Sequence, residues 1–173
     1  QKQNLNSLYY LGLLYEKGSG VERNLQKAID YYEKCSMNRK DKYISRTNNE
    51  VFSIEKKFIM NDFYYRSNND LGLIFLTEKN FQNIELGEKY IKEAGLNEYP
   101  FGQNNFGLFN QYYLNHIGNA QYMYERSSKH NFAIAEFNLG KLFENEGKIK
   151  ESIEHYLKAS DYENEKIVFR NQI

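Results

Sequence analysis

The chain has one cysteine and three histidines, which are residue types that can support catalysis or metal binding. A thiol nucleophile needs an activating base and an exposed thiolate, and a zinc site needs Cys or His ligands at short, regular spacing. Cys35 is the only cysteine, and His116, His130 and His155 share no metal-ligand spacing with one another or with it. The sequence therefore predicts no catalytic residue and no metal ligand.

The carboxylates and the glycine-rich segment do not suggest an active site either. Acidic residues cluster at 144–146 and 161–165, at predicted helix ends, where solvation explains them better than acid and base pairs that must converge on a cleft. Gly18-Ser19-Gly20 lacks the strand-to-helix context and the Lys-Ser/Thr of a phosphate-binding loop. We therefore expect a non-catalytic protein without a cofactor.

Composition restricts the classes of partner. Lys plus Arg and Asp plus Glu both number 23, so the formal net charge is zero, and no basic run forms a stripe for nucleic acid. No apolar run approaches the roughly 20 residues that a membrane helix needs. A single cysteine fits a reducing compartment. We expect no nucleic-acid ligand, no direct membrane insertion and a cytoplasmic location. Because the chain lacks an initiator methionine, we also expect it to be a fragment.

The residues that define the architecture form an internal repeat. A Leu-Gly or Phe-Gly pair returns at intervals of 60, 35 and 33 residues, with its glycine at Gly12, Gly72, Gly107 and Gly140. Each predicted second helix then carries a small residue, a ring or Ile four residues on, and a small residue three further. These sets are Ala28/Tyr32/Cys35, Gly87/Ile91/Ala94, Ala120/Tyr124/Ser127 and Ser152/Tyr156/Ala159.

The spacing places each set on one helical face. A glycine inside a helix costs about 1 kcal/mol relative to Ala, so four in register predict a notch that a neighbouring ring fills. In this pattern Cys35 takes the place of Ala or Ser in the other copies, which indicates a small core residue rather than a nucleophile.

The repeat predicts four helix-turn-helix copies, at residues 5–37, 65–97, 100–130 and 131–162. Apolar residues at roughly helical spacing between Val51 and Phe63 predict one extra helix near 49–61. That helix and the loop before it fill 38–64, as an insertion or as half of a degenerate repeat. Residues 163–173 are predicted to be a tail or the start of a capping helix.

The first copy carries a family resemblance. Its Leu11-Gly12-x-x-Tyr15, Gly18-x-Gly20-Val21 and Lys27-Ala28 segments, ending in Cys35-Ser36, resemble the Sel-one-like repeat (SLR), a relative of the tetratricopeptide repeat. The resemblance covers about residues 5–37 and 65–162. It implies an all-α fold, a right-handed α-solenoid of about four such repeats plus the extra helix, forming one array over residues 1–173.

The resemblance also implies a partner-binding surface. In tetratricopeptide-type arrays the first helices line a concave groove, with three positions facing it: three before, one after and four after the packing glycine. The predicted partner-binding residues are Tyr9, Leu13, Glu16, Asn69, Leu73, Leu76, Asn104, Leu108, Gln111, Phe137, Lys141 and Glu144. Amide, ring and aliphatic groups dominate this set and suit an extended peptide or a helix.

Two hypotheses for function follow. The primary one is a non-catalytic interaction scaffold or adaptor that binds a protein or peptide partner in this groove. The alternative is a structural or regulatory repeat segment, permanently packed inside a larger complex or multidomain protein. Leu13, Leu73 and Leu108 can alternatively serve local packing within the repeats.

Overall fold

The computed structural model describes residues 4–37 and 50–162, with the side chains of residues 50–61 outside that description. Within the described residues the backbone forms eight α-helices and no strand. They are α1 (Leu5–Lys17), α2 (Leu25–Ser36), α3 (Glu50–Thr77), α4 (Ile84–Gly95), α5 (Pro100–Tyr112), α6 (Ile117–Ser128), α7 (Ala133–Asn145) and α8 (Ile149–Asp161). The all-α helical repeat fold is confirmed. The predicted loop after residue 37 and the predicted tail lie outside the described residues.

The packing glycines form the predicted notch in three of the four hairpins. A Cβ added to Gly12 would lie 2.5 Å from a ring carbon of Tyr32. The matching distance is 2.6 Å from Gly107 to Tyr124 and from Gly140 to Tyr156. Since real Cβ atoms do not approach other atoms this closely, the tyrosine ring occupies the space that any other residue would need, and the predicted notch is confirmed.

The second hairpin, α3–α4, uses its glycines differently. A Cβ on Gly72 would lie 2.9 Å from the backbone nitrogen of Ile91, so the glycine admits the neighbouring main chain rather than a ring. A Cβ on Gly87 would lie 2.6 Å from the Leu76 side chain. Gly72 and Gly87 thus each make room for a residue of the opposite helix, and this hairpin packs without a tyrosine.

One backbone hydrogen bond closes all four hairpins, although the turns differ in length. The residue before each second helix donates its N–H to the carbonyl three residues after the packing glycine, at 2.8–2.9 Å. The pairs are Asn24 to Tyr15, Asn83 to Phe75, His116 to Asn110 and Lys148 to Phe143. In the longest turn Gly18 and Gly20 have φ of 68° and 76°, which other residues rarely adopt. Asn24 then caps α2 by accepting the Lys27 N–H.

The extra helix differs from the prediction in its boundary. It is not separate from the second copy, because α3 runs without a break from Glu50 to Thr77 and includes the first helix of that copy. No Gly or Pro lies between residues 50 and 71, so nothing in this stretch interrupts a helix.

The chain divides into two compact units, Gln1–Glu93 and Ala94–Ile173. In the first unit, Ile29 and Tyr32 of α2 pack in one core with Leu71 and Ile74 of α3. In the second, a smaller core joins α6 to α7, with Ala120, Tyr124, Leu139 and Leu142 as its buried members. A single continuous array over residues 1–173 stays a prediction.

Candidate partner-binding surface

The predicted surface uses three positions of each first helix, called here position −3, position +1 and position +4 relative to the packing glycine. The structure gives these positions different environments. Four of the predicted residues are buried, namely Tyr9, Asn69, Leu76 and Asn104. Five are half-buried, namely Leu13, Glu16, Leu73, Leu108 and Gln111. Three are exposed, namely Phe137, Lys141 and Glu144. Their binding role stays a prediction.

Position −3 joins neighbouring first helices through buried polar contacts. In the first unit the Tyr9 hydroxyl donates to Asp70 Oδ2 at 3.1 Å, from α1 to α3. In the second unit Asn138 Nδ2 donates to Asn104 Oδ1 at 2.9 Å, from α7 to α5. In both cases the partner lies two residues before its own packing glycine. Because a buried polar group without a partner is costly, these bonds fix how each pair of first helices sits together.

Position +4 accepts the hydroxyl of the tyrosine that fills the notch. Three hairpins share this contact: Tyr32 to Glu16 at 2.5 Å, Tyr124 to Gln111 at 2.7 Å and Tyr156 to Glu144 at 2.6 Å. The second hairpin lacks both groups, with Ile91 in place of the tyrosine and Leu76 in place of the acceptor. This pairing is not among the predictions from sequence, although ring and acceptor change together among the copies and the sequence shows this signal.

Two of these tyrosine hydroxyls, those of Tyr124 and Tyr156, are held in the protonated form. Burial, and secondarily the nearby Tyr112, raises the pKa of Tyr124 far above its usual value. Burial also raises the pKa of Tyr156, with further contributions from its bond to Glu144 and from that residue's charge. Protonated hydroxyls are donors, which suits the acceptors at position +4.

The exposed part of the predicted surface lies on α7. The Phe137 side chain is 40% exposed, and its ring centroid lies 5.6 Å from that of Tyr156. Lys141 Nζ lies 5.8 Å from the centroid of the Phe137 ring. Together with Glu144, one turn further along, they place an aromatic, a cationic and an anionic side chain on one helical face.

Cys35 has the environment expected of a core residue. Its side chain is fully buried, and its Sγ lies 3.6 Å from the Leu5 carbonyl oxygen and 3.5 Å from that of Phe63. Burial raises the pKa of the thiol. A protonated, inaccessible thiol is a poor nucleophile, so the packing interpretation is confirmed.

Two of the three histidines pair with glutamates inside the second unit. His155 Nδ1 lies 2.6 Å from Glu136 Oε2, a buried carboxylate, and joins α8 to α7. His130 Nε2 lies 3.1 Å from Glu98, whose pKa is lowered chiefly by its hydrogen bond from Arg126, with His130 adding to the effect. These contacts connect structural elements of the second unit.

Among residues 4–37 and 50–162 no group of three or more His, Cys, Asp or Glu side chains is arranged to hold a metal ion. In the same part of the chain no helix combines the length and the apolar character needed to cross a bilayer. The cytoplasmic location stays a prediction.

Two stretches of the chain match a known family model. Residues 5–37 and 133–161 match the Sel1 repeat, the same family as the Sel-one-like repeat. These stretches correspond to the α1–α2 and α7–α8 hairpins. Among curated proteins, no sequence matches the chain significantly.

Solved structures are similar along nearly the whole chain. The protective antigen c5321 of uropathogenic Escherichia coli, which displays an SLR fold, aligns with a TM-score of 0.67 at 17% identity, over 93% of this chain and 31% of its own. A Sel1 repeat protein from Oxalobacter formigenes aligns with a TM-score of 0.66 at 17% identity, over 93% and 42%. MamA aligns with a TM-score of 0.53 at 19% identity, over 92% and 78%. The chain thus spans less than half of the first two proteins, and the likeness is one of fold.

Proposed function

We propose that this chain, two stretches of which match the Sel1 repeat, is a non-catalytic scaffold that binds a protein or peptide partner along the exposed faces of its first helices. Proteins of this family are typically scaffolds for protein interaction and are generally non-catalytic. The partner-binding surface is proposed for each compact unit separately.

The observation that carries the proposal is the exposed face of α7. The neighbouring residues Asn138, Leu139 and Leu142 are buried in packing, whereas Phe137 keeps 40% of its side chain exposed. A partly exposed ring beside a lysine offers an apolar contact, and Lys141 and Glu144 offer one charge of each sign. Aromatic side chains dominate the energetics of many interfaces.

The half-buried leucines extend this chemistry to the other first helices. Leu13, Leu73 and Leu108 occupy position +1 in α1, α3 and α5, the position that Lys141 has in α7. Leu13 and Leu108 each present part of an aliphatic side chain next to a half-buried side chain at position +4, whereas Leu73 lies next to the buried Leu76. A partner with apolar side chains at regular intervals, in an extended or helical segment, fits such a surface.

The buried polar contacts at position −3 support the proposal indirectly. Tyr9 with Asp70, and Asn104 with Asn138, hold two first helices of each unit in a defined relation. A surface whose elements are fixed before binding loses less conformational freedom on binding. In this proposal Tyr9, Asn69, Asn104 and Leu76 therefore support the surface from within, and the partner touches their exposed neighbours.

The test compares partner capture by the whole chain and by a surface variant. The chain is immobilised, and proteins are captured from a lysate of the cells that produce it. Phe137→Ser combined with Lys141→Glu is expected to lose most of the captured partner while the thermal unfolding curve stays unchanged. Tyr122→Ser is the matched control, because Tyr122 is an aromatic residue of the second helix α6 that is 56% exposed. Equal capture by the folded α7 variant and by wild type would contradict the proposal.

A further inference from the structure

The α1 helix has an apolar face that is covered in every other first helix. The residues one before and two after the packing glycine are apolar in all four copies. In α3, α5 and α7 these residues are between 0% and 8% exposed: Leu71, Ile74, Phe106, Phe109, Leu139 and Leu142. In α1 they are Leu11 and Leu14, exposed to 37% and 41%. The pair Leu11 and Leu14 is called here the α1 end face.

The α8 helix has a second uncovered apolar face. Ile149, Ile153 and Leu157 follow one another at intervals of four residues, which places them on one side of the helix, and they are 56%, 52% and 58% exposed. This set is called here the α8 end face. The corresponding residues are Ile84, Glu88 and Lys92 in α4, and Ile117, Gln121 and Glu125 in α6. Only α8 is therefore apolar at all three positions among these three second helices.

The core residues of α8 are also less covered than their counterparts. Tyr156 and Ala159 are half-buried. The residues that match Tyr156 in the other hairpins, Tyr32, Ile91 and Tyr124, are all 0% exposed. The residues that match Ala159, namely Cys35, Ala94 and Ser127, are also all 0% exposed. The last second helix thus presents the side that elsewhere is buried.

The interior of the chain shows what covers such faces. In the first unit Ile29 and Tyr32 of the second helix α2 pack with Leu71 and Ile74 of the following first helix α3. In the second unit the same relation joins α6 to α7, where Tyr124 packs with Leu139 and Leu142. On the second-helix side, Ile29 corresponds to Ile153 of the α8 end face, and Tyr32 and Tyr124 both correspond to Tyr156 beside it. On the first-helix side, Leu71 and Ile74, like Leu139 and Leu142, correspond to Leu11 and Leu14.

We propose that α8 of one copy of this chain docks on α1 of a second copy, so that the α8 end face covers the α1 end face and the repeat contact continues from one molecule to the next. A second copy is the occupant because one chain carries both halves of a contact that it makes internally twice. Burial of the exposed parts of large aliphatic side chains favours association, and the two faces together offer five such side chains.

The contact has a defined symmetry. It joins two different surfaces, so each molecule that has used its α8 end face still has a free α1 end face, and assembly continues beyond the dimer. The average mass in solution should therefore rise continuously with concentration, rather than level off at twice the mass of the chain.

The experiment measures mass by sedimentation velocity from micromolar to submillimolar concentrations of the 173-residue chain. Leu14→Glu blocks the α1 end face and Ile153→Glu blocks the α8 end face. Each variant alone is expected to weaken association at least about tenfold, because a charge would have to enter an apolar contact. Leu14 and Ile153 are 41% and 52% exposed, so each monomer is expected to fold, and circular dichroism checks this. The control, Tyr122→Glu, changes an equally exposed residue outside both faces and should associate like wild type.

Mixing the two variants gives the most specific result. The Leu14→Glu chain keeps its α8 end face and the Ile153→Glu chain keeps its α1 end face, so their mixture should form a dimer that grows no further. A chain with both substitutions should stay monomeric in every mixture. The proposal is overturned if wild type is monomeric throughout, if the mixture forms no dimer, or if Leu14→Glu associates as wild type does, which would indicate contact between two α8 end faces.

Discussion

The α1–α2 and α3–α4 hairpins belong to the same compact unit, but their two helices pack around the repeat glycine in different ways. In α1–α2 the notch at Gly12 receives the ring of Tyr32, whose hydroxyl bonds to Glu16 at 2.5 Å. In α3–α4 the notch at Gly72 receives the main chain at Ile91, and a second glycine makes room for a leucine. At its notch the first hairpin is joined by a polar contact at the end of a ring, and the second by apolar and main-chain contact. The second hairpin has a separate hydrogen bond, from the Tyr64 hydroxyl of α3 to Glu93 of α4.

The difference shows that the glycine of the repeat is required for a different reason in each hairpin. Where a ring fills the notch, the obstacle to a larger residue is a side chain. Where the main chain fills it, the obstacle cannot be removed by any substitution in the partner helix. The residues at position +4 follow the same division, since an acceptor is useful only where a hydroxyl reaches it.

The largest effect is expected from filling the notches. Gly12→Ala and Gly72→Ala should each lower the free energy of unfolding by about 1–3 kcal/mol, the usual cost of overpacking, as measured by urea denaturation. In a Tyr32→Ala background the cost of Gly12→Ala should largely vanish, because the obstructing ring is gone. In an Ile91→Ala background the cost of Gly72→Ala should persist, because the obstructing backbone nitrogen and Cβ remain.

The control for this prediction is Gly118→Ala. No atom lies within 4 Å of a Cβ added to Gly118, so this substitution should be close to neutral. If Tyr32→Ala and Ile91→Ala reduced the costs of Gly12→Ala and Gly72→Ala by the same amount, the two hairpins would not differ in the way described.

The next effect concerns position +4 in the apolar hairpin. Leu76 is 1% exposed and its side chain packs against Gly87, so Leu76→Gln would bury an amide next to a residue that has no side chain to pair with it. We expect a loss of about 1–3 kcal/mol in the free energy of unfolding. Glu16→Gln is the matched substitution in α1–α2 and should be tolerated, because Gln111 fills this position in the third copy. Similar losses for the two variants would refute the division between polar and apolar hairpins.

A smaller effect is expected from removing the hydroxyl itself. Tyr32→Phe keeps the ring in the notch of Gly12 and deletes only the bond to Glu16. The free energy of unfolding should fall by about 1–2 kcal/mol, the range for a hydrogen bond to a partly buried charged acceptor. In a Glu16→Leu background the same substitution should cost much less. A cost that is independent of the residue at position 16 would show that the hydroxyl acts elsewhere.

The smallest effect is a loss of stability at alkaline pH, which arises at the contact between the two hairpins. The Tyr90 hydroxyl of α4 donates to Glu33 of α2, and burial first, then the charge and hydrogen bond of Glu33, raise the pKa of Tyr90 to about 12. Because the folded state favours the protonated hydroxyl, its contribution is complete below about pH 10, the ordinary tyrosine value, and declines as the pH rises through the folded pKa. Stability measured across this range should decline less steeply in Tyr90→Phe. An identical decline in that variant would contradict the assignment.

Much of the fold follows from the sequence because the repeat appears four times. The register of Gly12, Gly72, Gly107 and Gly140 defines four hairpins, and the structure contains a helix pair at each. The length of α3 was missed because an apolar pattern near 49–61 was treated as separate from the second copy, although no residue in between stops a helix. A local pattern predicts where a helix exists better than where it ends.

The candidate surface was less predictable for a physical reason. The three positions taken from the family resemblance indicate which side of a first helix would bind a partner. How exposed each side chain is depends on the neighbouring helix that packs against it. Tyr9 and Asn104 are buried, and Asp70 and Asn138, far away in sequence, form hydrogen bonds with them. Such contacts between copies carry no signal in a single repeat. The pairing of tyrosine with the acceptor at position +4 was readable, because both change together in the second copy.

The most direct test of the proposed function is side-chain-specific cross-linking to a captured partner. A photo-reactive aromatic amino acid is introduced at position 137 on the first helix α7 or, in a separate chain, at position 122 on the second helix α6. The account predicts a covalent product with the partner from position 137 and none from position 122. Cross-linking from position 122 without any from position 137 would contradict it.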